Sequence, residues 1–233
     1  MNATTGKSAL IIGASRGLGR ALAAEYLARG WQVTSTARGP GRTGLHDLAS
    51  SSAGRLVVET VDITVPGQVT ALHDRLAQTT FDLLFVNAGV TNGPEETVAD
   101  VSTDTFIRLM VTNALSPMRV VEALQDLVAP QGTIAVMSSG QGSVANNTKG
   151  GFEIYRASKS ALNQLMRSFA ARHAGDPRTL LLMAPGWVQT GLGGPAAPLT
   201  IGQSIPGVAD TIEAQAGQGG LQYLDYQGKT VSW

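Results

Sequence analysis

The sequence predicts an α/β chain: one domain built on a doubly wound parallel sheet of about seven strands, with helices on both faces. Three observations carry this. Short apolar runs alternate with longer amphipathic ones along the chain, the mark of repeated strand–helix–strand units. Several short runs, Phe81–Val86 and Thr179–Ala184 among them, are continuously apolar, as strands covered on both faces are. The chain has 233 residues, of which 43% are hydrophobic and 15% charged, enough for a single large core.

Taken in order, Ser8–Ile12 reads as a buried strand ended by Gly13, and Gly17–Ala28 carries Leu18, Ala21, Leu22 and Leu27 at helical spacing. Gly30 closes that helix, and Trp31–Ala37 alternates like a strand. Leu56–Val61 is the third strand and runs into Asp62, and Pro66 opens a helix to about Leu76. Phe81–Val86 is the fourth strand, bounded by Asn87-Ala88-Gly89. A long helix is expected from about Thr103 to Val128, a strand over Thr133–Met137, a helix from about Tyr155 to His173, and a strand over Thr179–Ala184. Gly207–Gln215 is weakly helical, and Leu221–Leu224 makes a seventh strand. The stretch 191–207 is rich in glycine and proline without a period. It is expected to be a substrate lid, with Leu192, Leu199 and Ile205 as its apolar contacts, against the alternative of a rigid crossover.

Composition excludes several classes of function. Seventeen basic residues balance seventeen acidic ones, so bulk charge gives no attraction to nucleic acid or an acidic membrane, and neither is expected as a partner. The absence of cysteine removes disulfides, thiolate metal sites and thiol nucleophiles. His46, His73 and His173 are not spaced as a metal pair, and no metal is expected. No apolar run is long enough to span a bilayer, and Met1 to Ser8 is not a leader-like apolar segment. A cytoplasmic location is expected.

Two groups of residues carry chemistry. The first strand runs into Gly13-Ala14-Ser15-Arg16-Gly17-Leu18-Gly19 and then a helix. Glycines at such a junction allow a tight turn, and the free N–H groups of the helix start attract a pyrophosphate. Ser138 and Ser139 close the fifth strand, at the edge where α/β sheets place their ligands. Tyr155 and Lys159 stand four apart on one helix face. A phenol ordinarily titrates near 10; a neighbouring ammonium is expected to lower it and so fit Tyr155 to exchange a proton with an alcohol or ketone.

Together Gly13–Gly19, Asn87-Ala88-Gly89, Asn113, Ser139, Tyr155–Lys159 and Pro185-Gly186 resemble, in order and spacing, the short-chain dehydrogenase/reductase family. The resemblance spans nearly the whole chain. It implies a Rossmann-type fold, a nicotinamide cofactor and hydride transfer between that cofactor and a carbonyl or alcohol. It implies that Tyr155 is the general acid/base, that Lys159 tunes it and binds the ribose, that Ser139 holds the substrate oxygen, and that Asn113 supports a proton relay. Asn87, Ala88 and Gly89 resemble the segment along the cofactor. Asp62 and Ile63 resemble the adenine-contacting pair, and Pro185, Gly186, Val188 and Thr190 the segment at the nicotinamide carboxamide.

Where the family most often has its serine, this chain has Gly142; Ser139 fits if three extra residues lie within Val144–Gly151, with Ser138 and Ser143 as alternatives. That feature, YRASK and the short stretch ending in Trp233 resemble the C-factor-like and sniffer-like carbonyl reductases. The position that holds an acid in NAD-preferring sites is Ala37, while Arg38 follows and Arg16 sits in the turn. Two guanidiniums suit a 2′-phosphate, so NADP(H) is expected over NAD(H). Gln141, Asn146, Asn147, Trp187 and Leu192 are the expected substrate pocket, and a neutral carbonyl or alcohol the expected substrate. The family also implies a homodimer or homotetramer. The alternative to an enzyme is a dinucleotide-binding signalling or regulatory protein that keeps the fold, as the name C-factor would have it.

Overall fold

A computed structural model describes residues 6–233; Met1 to Thr5, part of the stretch read above as lacking a leader, lies outside the described residues. Seven parallel strands form one sheet: β1 (Ser8–Ile12), β2 (Gln32–Ala37), β3 (Leu56–Thr60), β4 (Phe81–Val86), β5 (Val128–Met137), β6 (Thr179–Ala184) and β7 (Gly220–Asp225). Their order is β3-β2-β1-β4-β5-β6-β7. The chain winds outward from β1 to β3, then returns beside β1 as β4 and winds the other way. This reversal opens a crevice at the carboxyl ends of β1 and β4, where ligands of open α/β sheets bind.

Strand periodicity sorts side chains between two cores. Leu10, Ile12, Leu84, Val86, Ile134, Val136, Leu180 and Leu182 face one side. There they pack on α3 (Pro66–Leu76), α5 (Ser116–Leu124) and α6 (Glu153–Arg172). Ala9, Ile11, Leu83, Phe85, Ala135 and Leu181 face the other, against α1 (Gly17–Ala28), α2 (Gly44–Ser51) and α7 (Ile201–Gln215). Because both faces are covered, the strands read as apolar throughout. Each fully buried leucine in these layers contributes roughly 1.5–3 kcal/mol.

One element is added to the expected ones, and three expectations are corrected. First, α2 carries a capping box, the Thr43 hydroxyl meeting the helix N–H groups and the His46 side chain returning to the Thr43 N–H; at eight residues it is too short for periodicity to reveal. Second, the long helix does not run unbroken. It divides into α4 (Thr103–Met110), a π-helical turn (Val111–Leu115) and α5, and Val128 already begins β5. Third, β5 starts early, with a register irregularity opposite Phe81 and Leu83.

The fourth concerns 191–207. Only its first part is irregular, because Thr200 caps α7 and Gln203 returns to the Thr200 backbone. Ile205 is therefore a core residue at 2% exposure, not a lid contact. Leu199 is tied down as well: it bridges Val188, and its carbonyl accepts from Gln189 N at 2.8 Å. Pro206 lies inside α7; its carbonyl accepts from Arg29, whose guanidinium also pairs with Asp210 and Glu213 and so fastens α1 to α7.

Candidate active site

The crevice is built by close approach. Gly13 has φ +88°, and a Cβ there would stand 2.9 Å from Ala88. A Cβ on Gly19 would meet the Gly13 carbonyl oxygen at 2.3 Å and Asn87 Nδ2 at 2.6 Å. No side chain fits either position. Into the space so kept, Asn87 Nδ2 donates to the Gly13 carbonyl at 2.8 Å, locking the end of β4 to the turn after β1. The Gly13 N–H donates to Thr36 Oγ1 at 3.0 Å. Arg16 precedes α1 without a side-chain cap, and the first turn of α1 holds no acid. Its orphan N–H groups and positive dipole end are thus open to an anion. Arg16 and Arg38 are both exposed.

Asp62 stands near Arg38. Burial raises its carboxyl, but hydrogen bonds from Thr64 and the Arg38 charge outweigh that and hold it below the ordinary value. The Ile63 side chain is packed in the core, leaving only its backbone to meet a ligand. The glycine cradle and the uncapped helix start fit the pyrophosphate of a dinucleotide.

Tyr155 enters from the first turn of α6. Phe152 precedes the helix in the left-handed region, at φ +51°. Tyr155 is 9% exposed and packs with Leu109 and Ile154. Lys159, one turn on, is 3% exposed. Its Nζ donates to the Met137 carbonyl at 2.9 Å and lies 5.9 Å from the centre of the Tyr155 ring. Ser139 begins the short 3-10 turn Gly140–Gly142, its hydroxyl accepting from Gln141 N at 3.1 Å, and its side chain acts on the Tyr155 phenol.

The expected lowering of the phenol is corrected. Burial pushes Tyr155 up to about 12, with the Ser139 hydrogen bond pulling the other way. Lys159 is itself taken down to about 8 by burial, and its ammonium is directed at Met137 rather than at the phenol.

Asn113 is fully buried in the π-helical turn. Its Oδ1 accepts from Val90 N at 2.8 Å; its Nδ2 donates to the Val90 carbonyl at 2.8 Å and to Ser158 Oγ at 2.9 Å. The side chain thus pairs with the backbone after β4 and has no donor left for water. Four residues on stands Pro117, which lacks an N–H, so the Asn113 carbonyl has no α-helical donor.

Ser138 donates to Asn163 Oδ1 at 2.6 Å, and Ser143 accepts from Asn146 N at 3.1 Å. Both hydroxyls are engaged, Ser138 with a side chain and Ser143 with the backbone, and Ser139 is the serine brought to Tyr155. Of the expected pocket residues, Gln141 flanks Ser139, with its Oε1 buried and unpartnered. Asn146 and Asn147 lie on an exposed loop, where Asn147 Oδ1 accepts from Gly150 N. Trp187 Nε1 donates to the Gly193 carbonyl at 2.7 Å, leaving the ring 55% exposed; Leu192 is exposed beside it. Val188 is buried, and Thr190 Oγ1 caps the turn at Leu192 and Gly193. Among the described residues, no cluster of three or more His, Asp or Glu could hold a metal ion, and no helix is long and apolar enough to cross a membrane.

Over residues 7–198 the chain matches the short chain dehydrogenase family, and it belongs to that family of oxidoreductases. A short-chain dehydrogenase/reductase chain from Burkholderia multivorans, with NADP bound, matches with a TM-score of 0.96 at 58% identity, covering 97% of this chain and 99% of that one. A carbonyl reductase from Pseudomonas aeruginosa PAO1, in complex with NADP, matches with a TM-score of 0.90 at 37% identity over 98% of this chain and 100% of that one. The C-signal of Myxococcus xanthus is 37% identical over 155 residues, 65% of this chain and 92% of that protein.

The buried lysine makes a prediction independent of any substrate. Its value falls from 10.5 unfolded to about 8 folded, so between those limits the unfolded state binds more protons and stability rises with pH. In urea unfolding, the midpoint of the protein relative to Lys159→Met should climb as pH rises from about 8 towards 10.5. A constant difference would show that Lys159 titrates normally.

Proposed function

We propose that the protein is an NADP-dependent oxidoreductase that interconverts a neutral carbonyl compound and its alcohol. The meeting of Tyr155, Lys159 and Ser139 beside the glycine cradle carries this reading. A nicotinamide held there would supply or accept the hydride. Tyr155, protonated at neutral pH, is suited to donate its proton to the substrate oxygen as hydride arrives at carbon. The Ser139 hydroxyl holds that oxygen. Lys159 keeps two N–H donors beyond its bond to Met137, enough for a ribose hydroxyl. The Asn113 carbonyl, freed by Pro117, offers an acceptor for a water between itself and Lys159. Residues 191–198, carrying Leu192, are the part of the expected lid that remains available to cover a substrate, with Trp187 hydrogen-bonded to Gly193.

NADP is favoured over NAD because Arg16 and Arg38, both exposed, offer two guanidiniums to a 2′-phosphate while Ala37 offers no acid to a ribose hydroxyl. The NADP complexes of the Burkholderia and Pseudomonas relatives support this. The name of the Myxococcus relative, C-signal, favours a second reading, a regulatory protein that binds dinucleotide. The convergence of a phenol, an ammonium and a hydroxyl weighs against it, since a sensor needs no proton donor. Turnover of NADPH with a panel of aldehydes, ketones and quinones separates the two; no turnover with any would favour the regulatory reading.

Two copies are proposed to pack through the face formed by α4, the π turn and α6. Ile107, Leu115 and Leu165 are exposed there, and Met110, Val111, Ala114 and Ala161 line a groove between them. Of the small residues on α6, Ala161 lines the groove, Ala157 and Ala171 are exposed, and Ala170 packs on the core.

Replacing Tyr155 with Phe keeps the ring and removes the proton. Turnover should fall by at least about a hundredfold while NADPH still binds in fluorescence titration; near-normal turnover would end the assignment. Arg38→Asp should lower the ratio of NADP to NAD efficiency by at least about tenfold, the worth of one charge-assisted contact. An unchanged ratio would remove Arg38 from the phosphate site. Leu165→Glu should turn a dimer or larger assembly into monomers in light scattering, and a parent already monomeric at micromolar concentration would refute the interface.

A further inference from the structure

A second shell of polar groups lies behind Ser139, and neither hydride nor proton transfer engages it. Tyr223, on β7, is 1% exposed. The sheet pairs β7 only with β6, yet the Tyr223 hydroxyl reaches past β6 and donates to the Ser139 carbonyl at the end of β5. The same carbonyl accepts from Gly142 N at 2.8 Å. A carbonyl oxygen has two lone pairs, so this one is clamped from both sides.

The turn that follows is held as firmly. Asn163 accepts from Ser138 at 2.6 Å and donates to the Gly142 carbonyl at 3.2 Å, and Ser160 Oγ donates to that carbonyl at 3.0 Å. Asn163 and Ser138 also stand against the Tyr223 phenol. The far side of Tyr223 is braced in turn. Its ring lies 5.5 Å from that of Trp233 at an interplanar angle of 57°, and the Arg167 guanidinium sits 3.9 Å over the Trp233 ring. The Trp233 carbonyl accepts from Ala145 N at 3.0 Å, in the exposed loop between Ser143 and Phe152. The segment that carries Trp233 is fixed to β7 by Val231 N donating to the Tyr223 carbonyl at 2.9 Å.

We propose that Tyr223 is a positioning residue for the reaction. By fixing the Ser139 carbonyl it fixes the peptide on which the Ser139 hydroxyl is carried, and so keeps that hydroxyl directed at Tyr155. Trp233, held by Arg167, keeps the Tyr223 ring in place and couples it to the loop beginning at Ala145. A hydroxyl that must meet one substrate oxygen loses rate steeply when displaced. The inference rests on Ser139 as the holder of the substrate oxygen.

Tyr223→Phe keeps the ring against Trp233 and removes only the donor. In carbonyl reduction kcat should fall about tenfold, the kinetic equivalent of one buried hydrogen bond, while KM for NADPH stays within about twofold. In alcohol oxidation the rising limb of the pH profile should move to higher pH, because a loosened Ser139 no longer favours the Tyr155 phenolate. In a Ser139→Ala background the same change should cost less than about twofold, since the residue it positions is gone.

Trp233→Ala, at a position 37% exposed, should lower kcat in the same direction, with Trp233→Phe restoring it. This arm carries the test if Tyr223→Phe does not fold. Unaltered kcat and pH profile in Tyr223→Phe, or a loss of the same size with and without Ser139, would overturn the positioning role. Full turnover by Ser139→Ala would instead overturn the assignment of Ser139 itself, and with it the inference.

Discussion

The whole arrangement depends on how closely two strand ends approach one another. The end of β4 lies against the turn after β1 because Gly13 and Gly19 carry no Cβ, and Asn87 bridges the gap to the Gly13 carbonyl. That contact sets the crevice where the sheet reverses direction. It aims the N-terminus of α1 across the crevice and brings the segment after β4 to Asn113. A methyl group at either glycine would force backbone apart from backbone, which no rotamer change relieves.

From that junction the site is assembled by polar groups fixing one another. Asn113 holds the backbone at Val90 as a neighbouring strand would, and the π-helical turn is what lets a helix residue do so. Turns of this kind inside α-helices are frequent at functional sites. The Asn113 amide is spent on structure, and Pro117 leaves the Asn113 carbonyl without an α-helical donor. Lys159 is treated similarly, its ammonium anchored to the end of β5 through Met137. Burial then costs it part of its charge preference and raises the neighbouring phenol. Burial thus favours the protonated form of Tyr155.

Much of this was legible in the sequence. Strand runs such as Phe81–Val86 and Thr179–Ala184 were read to the residue, because continuous apolar runs of that length have few other uses. The glycine turn, Tyr155 and Lys159 were legible because each lies within one local segment whose spacing fixes its geometry. The capping boxes of α2 and α7 were also written there, as Thr43 with His46 and Thr200 with Gln203. They were passed over for the glycines and prolines around them, and the expected lid was drawn too long as a result.

What the sequence by itself determined, then, was the alternation of elements, the family of the chain and the local segments that make up the candidate site, since all of these rest on periodicity and short spacings. Tertiary structure alone decided the rest. The helix from Thr103 breaks at a π turn because Asn113 must meet Val90, twenty-three positions earlier in the chain. The Tyr155 phenol rises rather than falls because burial, which is a property of the packed molecule, outweighs an ammonium already engaged elsewhere. Tyr223 reaches Ser139 across eighty-four positions. Nothing in a local pattern encodes that contact, which exists only because β5, β6 and β7 lie side by side.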